Sequence, residues 1–297
     1  MKKFKRSVHQ SMGEMPPAVR DAVGDGDVAA ATDAFRDAVT QIAMDFIEQW
    51  VAGGRPADNI LPRAPDILGQ PVKLSYINSG SVGSVYKIQW GDQVWALKIN
   101  RNASAGELGV MPLQSRVRGL VNKMHMGAVF KYGNRRYSWV LSDYVGRDRA
   151  GSFERAMEKL YYAYLTKGID IADAHAQNFI DGKLIDQASL FQRTGCDDIR
   201  ALSRGEQDMV KKLAHAIRTD NATAFEKMMA SAAQEHPAVV RYMFFAMKFG
   251  KSPIFGPGHT DPFSMKLARF EEIVNRIYRG MPASKVGPRV TPTSHGR

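Results

Sequence analysis

The sequence predicts an α+β protein in two lobes, strand-rich and then helix-rich, with a helical extension ahead of them. Three observations carry that expectation. Between Val72 and Ile99 apolar and polar residues alternate around glycine-bearing turns, the period-two pattern of half-buried strands. From Phe153 to Leu165 the apolar residues recur at helical spacing, and similar stretches follow up to residue 279, as amphipathic helices require. Ahead of the strands, Phe35, Val39, Ile42, Phe46 and Trp50 mark one more helix. The expected division is an extension over 1–65, a domain over 66–283 split into lobes at 72–148 and 149–283, and a disordered tail over 284–297.

Taken in order, residues 1 to about 27 are polar and broken by Gly and Pro, which predicts a mobile segment. Gly53-Gly54 ends the first helix, and proline-rich Arg55–Pro71 reads as a linker. Strands fill Val72–Ile99. Glu107–Met124 is expected to be helical through Val110, Leu113, Val117 and Leu120, with Pro112 near its start. Val129–Tyr132 and Tyr137–Leu141 form a strand pair around Gly133-Asn134. The long helix with Phe153, Met157, Leu160, Tyr161, Tyr164 and Leu165 ends at Gly168. A tight hairpin is expected at Asp181-Gly182, and helices at 206–218, 221–232, 237–249 and 262–279. The Met228-Met229 and Met243–Met247 segments read as helical core.

Composition narrows the function. The 297 residues hold one cysteine, Cys196, so an intramolecular disulfide and a cysteine-based zinc cluster are excluded, and the thiol is read as inert. No apolar run is long enough to span a membrane. Met1-Lys2-Lys3-Phe4-Lys5-Arg6 is basic but has no apolar segment behind it, unlike a secretory signal. The formal net charge is +11, which suits an acidic partner or a nucleotide. Arg101, Arg116, Arg118, Lys123, Lys131, Arg135 and Arg136 face a single acid, Glu107. This 98–136 stretch is either a solvated basic face or a dock for an acidic protein. It lacks the interleaved aromatics of a nucleic-acid motif.

The chemistry concentrates in two places. Asn78-Ser79-Gly80-Ser81-Val82-Gly83 joins two strands, and Val94-Trp95-Ala96-Leu97-Lys98 follows on the next. Glycines let backbone approach phosphates closely, and a lysine adds a compact positive charge. No G-x-x-x-x-G-K-[ST] segment competes with this hairpin. Farther on comes Asp173-Ala174-His175-Ala176-Gln177-Asn178, and then Leu184-Ile185-Asp186. One carboxylate of such a set can orient and deprotonate a hydroxyl. An amide oxygen and a second carboxylate can hold magnesium, which favours oxygen ligands. His175 reads as a structural hydrogen-bonder. No G-x-S-x-G elbow and no H-E-x-x-H pair is present.

Over residues 72–190 this order of motifs resembles the protein-kinase-like superfamily, above all its compact, divergent bacterial members of the type III effector kind. The resemblance implies a two-lobed kinase-like fold, ATP and Mg2+ as cofactors, and phosphoryl transfer to Ser/Thr of a protein, possibly in a host cell reached after secretion from a bacterial cytoplasm. It implies nucleotide contacts from Gly80, Ser81, Gly83, Val85, Ala96 and Lys98, with Glu107 orienting Lys98. Ser142-Asp143-Tyr144-Val145 would be the hinge that receives adenine, through Asp143 and Val145. Asp173 would be the catalytic base, and Asn178 and Asp186 the metal ligands. The D-x-H-x-x-N variant is similar to that of small-molecule kinases. The chain departs from the usual pattern in several places. Asn78 stands at the first glycine, Ile171-Ala172-Asp173 replaces the His-Arg-Asp run, and Gln187-Ala188 follows Asp186. Protein kinase, small-molecule kinase, adenylyltransferase and non-catalytic pseudokinase therefore all remain open at this point.

Overall fold

The computed structural model describes residues 8–24, 26–53, 60–80, 82–101, 112–114, 116–146, 152–171, 176–185, 190–193, 198–248 and 262–286. The structure is α+β. The chain divides into two compact units, Met1–Asp148 with Lys183–Ala188, and Arg149–Gly182 with Ser189–Arg297.

The first unit contains β1 (Val8–Gly13), α1 (Pro17–Val23), α2 (Val28–Gly53), β2 (Val72–Ser79), β3 (Gly83–Trp90), β4 (Gln93–Asn100), β5 (Met124–Tyr132) and β6 (Arg135–Asp143). The strands form one antiparallel sheet in the order β1-β5-β6-β4-β3-β2. Alternation assigns its two faces. Tyr86, Ile88, Trp90, Trp95, Leu97, Ile99, Met126, Phe130, Trp139 and Leu141 are buried in one cluster with Phe35, Val39, Ile42, Phe46 and Ile47 of α2. Thr40 lies on the same buried stripe of α2. Its Oγ1 donates to the Arg36 carbonyl at 2.8 Å and accepts from Trp139 Nε1 at 2.9 Å. A buried indole N–H needs such an acceptor.

The amino-terminal region thus differs from the expected extension. Residues 8–13, read as mobile, pair with β5 from Val8↔Phe130 to Gly13↔Met126, and Met15 and Val19 join the α2 core. The apolar stripe of α2 needed a covering surface, and this unit's own sheet supplies it. The presumed linker is a strap over 60–70. Its Ile60 and Ile67 carbonyls accept from Tyr86 Oη at 2.6 Å and Trp90 Nε1 at 2.9 Å. Polarity and prolines in the sequence reflected backbone anchoring here.

The helix expected over Glu107–Met124 also requires correction. Residues 107–111 and 115 lie outside the described residues, and of the described residues between 112 and 124 only 112–114 are helical. Gly119 takes a left-handed φ of 81°, which interrupts a helix. Leu120 O accepts from Leu184 N at 2.8 Å, and Leu184 O accepts from Asn122 N at 2.9 Å. Strand β5 then begins at Met124. The apolar spacing was that of a turn whose polar backbone pairs with Leu184.

The second unit opens with α3 (Ser152–Lys167), β7 (Ile169–Ile171) and a short 3-10 turn at Ala176–Asn178. Strand β8 (Phe179–Ile180) turns back as a hairpin into β9 (Lys183–Leu184), which is counted with the first unit. Asp181 and Gly182 at its turn have φ of 50° and 66°, as a tight two-residue hairpin demands. Strand β10 (Leu190–Gln192) pairs antiparallel with β7. Then come α4 (Arg204–Arg218), α5 (Ala222–Glu235), α6 (Pro237–Lys248), α7 (Pro262–Gly280) and the short α8 (Ala283–Val286). The sequence marked four of these starts. Ser203 and Glu206 form a reciprocal capping box on α4 and Asn221 caps α5, while Pro237 and Pro262 open α6 and α7. Tyr161, Tyr164, Leu213, Phe225, Met229, Met243, Met247 and Phe270 share one core. Tyr242 Oη donates to the Leu165 carbonyl at 2.5 Å, and Tyr164 Oη donates to that of Ala246. Residues 284–286, expected in a disordered tail, are helical.

Candidate functional site

In the first unit, the site residues are placed by strand register. Val85 pairs with Lys98, and Lys98 with Val140. In the adjacent row of the same face, Lys87 pairs with Ala96, and Ala96 with Ser142. Because side chains alternate, Val85, Ala96 and Lys98 all project from the face opposite α2. Each is partly exposed, whereas Trp95, Leu97 and Ile99 between them are buried. The α2 core thus fixes which face Lys98 occupies, since a one-residue slip would turn it inward.

The glycine turn joins β2 to β3 beside this row. Gly80 is exposed, its N–H donates to Gly83 O at 2.9 Å, and a Cβ at Gly80 would meet nothing within 4 Å. Gly83 is different. A Cβ there would lie 2.5 Å from Ile99 O and 2.9 Å from Asn100 Oδ1, so glycine is needed for close strand approach. Arg101 holds the turn from the end of β4. Its N–H donates to Val82 O at 2.8 Å and its Nη2 to the Gly80 carbonyl, while its guanidinium lies 5.6 Å from the Trp50 ring. Ser81 and Glu107 lie outside the described residues.

Asp143 ends β6 in a polar knot that sequence reading missed. A register shift between Met124 and Met126 makes His125 the extra residue of a bulge, and a bulge re-aims its side chain. His125 Nε2 lies 2.7 Å from Asp143 Oδ1, and this hydrogen bond holds the carboxyl below its ordinary pKa. Asp143 N–H donates to Lys123 O at 2.9 Å, and its carbonyl accepts from buried Asn122 Nδ2 at 2.7 Å. Lys87 Nζ sits 5.4 Å from the Tyr144 ring. Val145 follows in a partly exposed, irregular segment. No periodicity flags a bulge, so His125 and Asn122 had no signal of their own.

In the second unit, Asn178 is 9 % exposed at the end of the 3-10 turn. Asp173, His175, Cys196 and, in the first unit, Asp186 lie outside the described residues. Among the described residues, no group of three or more His, Cys, Asp or Glu could hold a metal ion. Upstream of Asp173, Asp170 is 7 % exposed on β7. Burial pushes its carboxyl up to about 6, against a hydrogen bond from Ile171 N and the charge of Arg193. Arg193 is buried too, its guanidinium 4.4 Å from the Tyr164 ring and its N–H donating to Gly168 O at 2.8 Å. Gly168 has a φ of 65°, a backbone conformation in which a side chain would be strained.

The basic 98–136 stretch is not one face. Lys123 adjoins Met124 at one end of β5, while Lys131, Arg135 and Arg136 surround the turn at the other, about 25 Å away at strand rise.

No protein-family model matches this chain, and no curated protein matches it. Among the described residues, no helix is long and apolar enough to cross a membrane.

Proposed function

We propose that the chain is a magnesium-dependent, ATP-using phosphotransferase of protein-kinase-like build, acting on Ser/Thr hydroxyls of a protein. The observation that carries this reading is the register placing Val85, Ala96 and Lys98 on one sheet face beside an exposed glycine turn. That face offers apolar contact for a base and a lysine ammonium for phosphate oxygens. Asp143 has both its backbone groups engaged within the protein, so the edge of adenine is assigned to the backbone of Tyr144 and Val145.

On this reading Asp173 accepts the hydroxyl proton while the acceptor oxygen bonds to the γ-phosphorus. The bond from that phosphorus to the bridging oxygen breaks, and ADP leaves. Asn178 and Asp186 have the oxygen donors that suit magnesium, which when bound neutralises phosphate charge. The bacterial-effector assignment and the host-protein substrate rest on the motif resemblance alone.

The test is intact-protein mass after incubation with Mg-ATP, for wild type and Asp173→Ala, paired with calorimetry of ATP binding to wild type and Lys98→Ala. The expected result is a phosphate-sized gain lost in Asp173→Ala, and ATP affinity reduced at least tenfold in Lys98→Ala. An adenylyl-sized gain would replace this reading with nucleotidyl transfer. Absence of ATP binding to the wild type would refute it.

A further inference from the structure

We infer that the sheet end formed by the β5–β6 turn is a docking surface for anionic phospholipid membranes. Lys131 is paired directly opposite Arg136, and Tyr132 opposite Arg135. Like charges directly opposite in a ladder oppose folding, so stability gives no reason for this arrangement. All three cations are exposed, and among the described residues none has an ion-pair partner.

The sheet topology extends this positive field. The sequence has no Asp or Glu from Leu108 to Ser142, and none before Glu14. Pairing of β1 with β5, and of β5 with β6, brings these two acid-free segments side by side. Val8 pairs with Phe130, two residues short of Tyr132. The acid of α2 whose charge acts on Tyr132 is Glu48.

A membrane fits this geometry better than other polyanions. The cations crown a hairpin turn, with Gly133 and Asn134 exposed between them. A charged plane lying across the end of the turn meets cations from both sheet faces, Lys131 and Arg136 on one and Arg135 on the other, whereas an acidic peptide is gripped by a groove. Single-stranded nucleic acid is held by exposed aromatic platforms, and the aromatic residues beside these cations, Tyr132 and Tyr137, are half-buried and buried. Each Lys or Arg near an anionic leaflet strengthens binding severalfold. The surface is independent of the phosphotransfer reading.

The experiment is co-sedimentation of the full chain with vesicles of phosphatidylcholine alone, or of phosphatidylcholine and phosphatidylserine in equal proportion. Two variants of equal charge are compared with wild type. One carries Lys131→Gln, Arg135→Gln and Arg136→Gln. The other carries Lys73→Gln, Lys212→Gln and Lys227→Gln, at exposed sites elsewhere. The expected result is wild-type binding to serine-containing vesicles only, lost in high salt. Binding should weaken about 100-fold in the first variant and little in the second. Equal loss in both variants, or no serine-dependent binding by the wild type, would overturn the inference. So would patch-dependent binding of polyglutamate or duplex DNA that outcompetes the vesicles. The wild-type comparison needs no substitution and stands even if a variant fails to fold.

Discussion

Two buried or half-buried carboxyls make opposite predictions at the residue scale. Asp170 binds its proton more tightly folded than unfolded, with a folded pKa of about 6 against an ordinary 3.8. Its contribution therefore favours folding below pH 4 and is lost as pH rises towards 6, a change of roughly 3 kcal/mol. Asp170→Asn should remove that slope, which denaturant melts from pH 4 to 7 would show; an unchanged slope would assign it to another group. Asp143 runs the other way, because its hydrogen bond with His125 lowers its pKa. It stabilises the fold above its unfolded pKa, and that contribution fades as acid protonates the folded carboxyl. His125→Gln should move the Asp143 titration upward, as side-chain carboxyl NMR shifts would record. Asp143 was singled out in the sequence as a hinge residue, but neither its hydrogen bond with His125 nor the burial of Asp170 was legible there. Asp170 lay in a short apolar strand that showed only its backbone, and His125 owes its direction to a bulge.

At the scale of the element, α2 and the β4–β6 ladder carry the argument. Phe46 is fully buried between α2 and the sheet, so Phe46→Ala should cost about 3–5 kcal/mol. Thr40→Val keeps the shape but leaves the Trp139 indole N–H without its acceptor, which should cost about 1–3 kcal/mol. Equal stability of Thr40→Val and wild type in urea would mean that another group accepts that hydrogen bond. The helical stripe of α2 was readable from Phe35 to Trp50, because burial repeats every turn. The helix expected over Glu107–Met124 shows where the same rule fails. Val117 and Leu120 are buried, but Gly119 and the pairing of Leu120–Asn122 with Leu184 place them in turns. Short apolar runs do not distinguish a helix from a turn whose partner lies far along the chain.

At the scale of the whole molecule, the described residues form two hydrophobic cores that share no residue. All four tryptophans, at 50, 90, 95 and 139, belong to the first unit, so their fluorescence reports that core. Phe46→Ala should lower the fluorescence midpoint of thermal unfolding. Phe270→Ala, in the second core, should lower the far-UV circular dichroism midpoint more than the fluorescence midpoint. Coincident shifts in both variants would show the two cores melting as one cooperative system.

The sequence by itself determined the α+β class, the three-strand run around the glycine turn, the hairpins at Gly133-Asn134 and Asp181-Gly182, and the bounds of most helices. Those features follow from local periodicity, capping residues and turn chemistry, which neighbouring residues specify. It also set the positive charge, which depends on composition alone. Only the tertiary structure decided that residues 8–53 build the first unit's core and that residues 60–70 strap it. Tertiary structure likewise put Lys98, Ala96 and Val85 on one face, tied His125 to Asp143, and joined two acid-free segments in neighbouring strands. Each of these depends on pairing between residues distant in the chain, and the register of a sheet is fixed by what its buried face packs against.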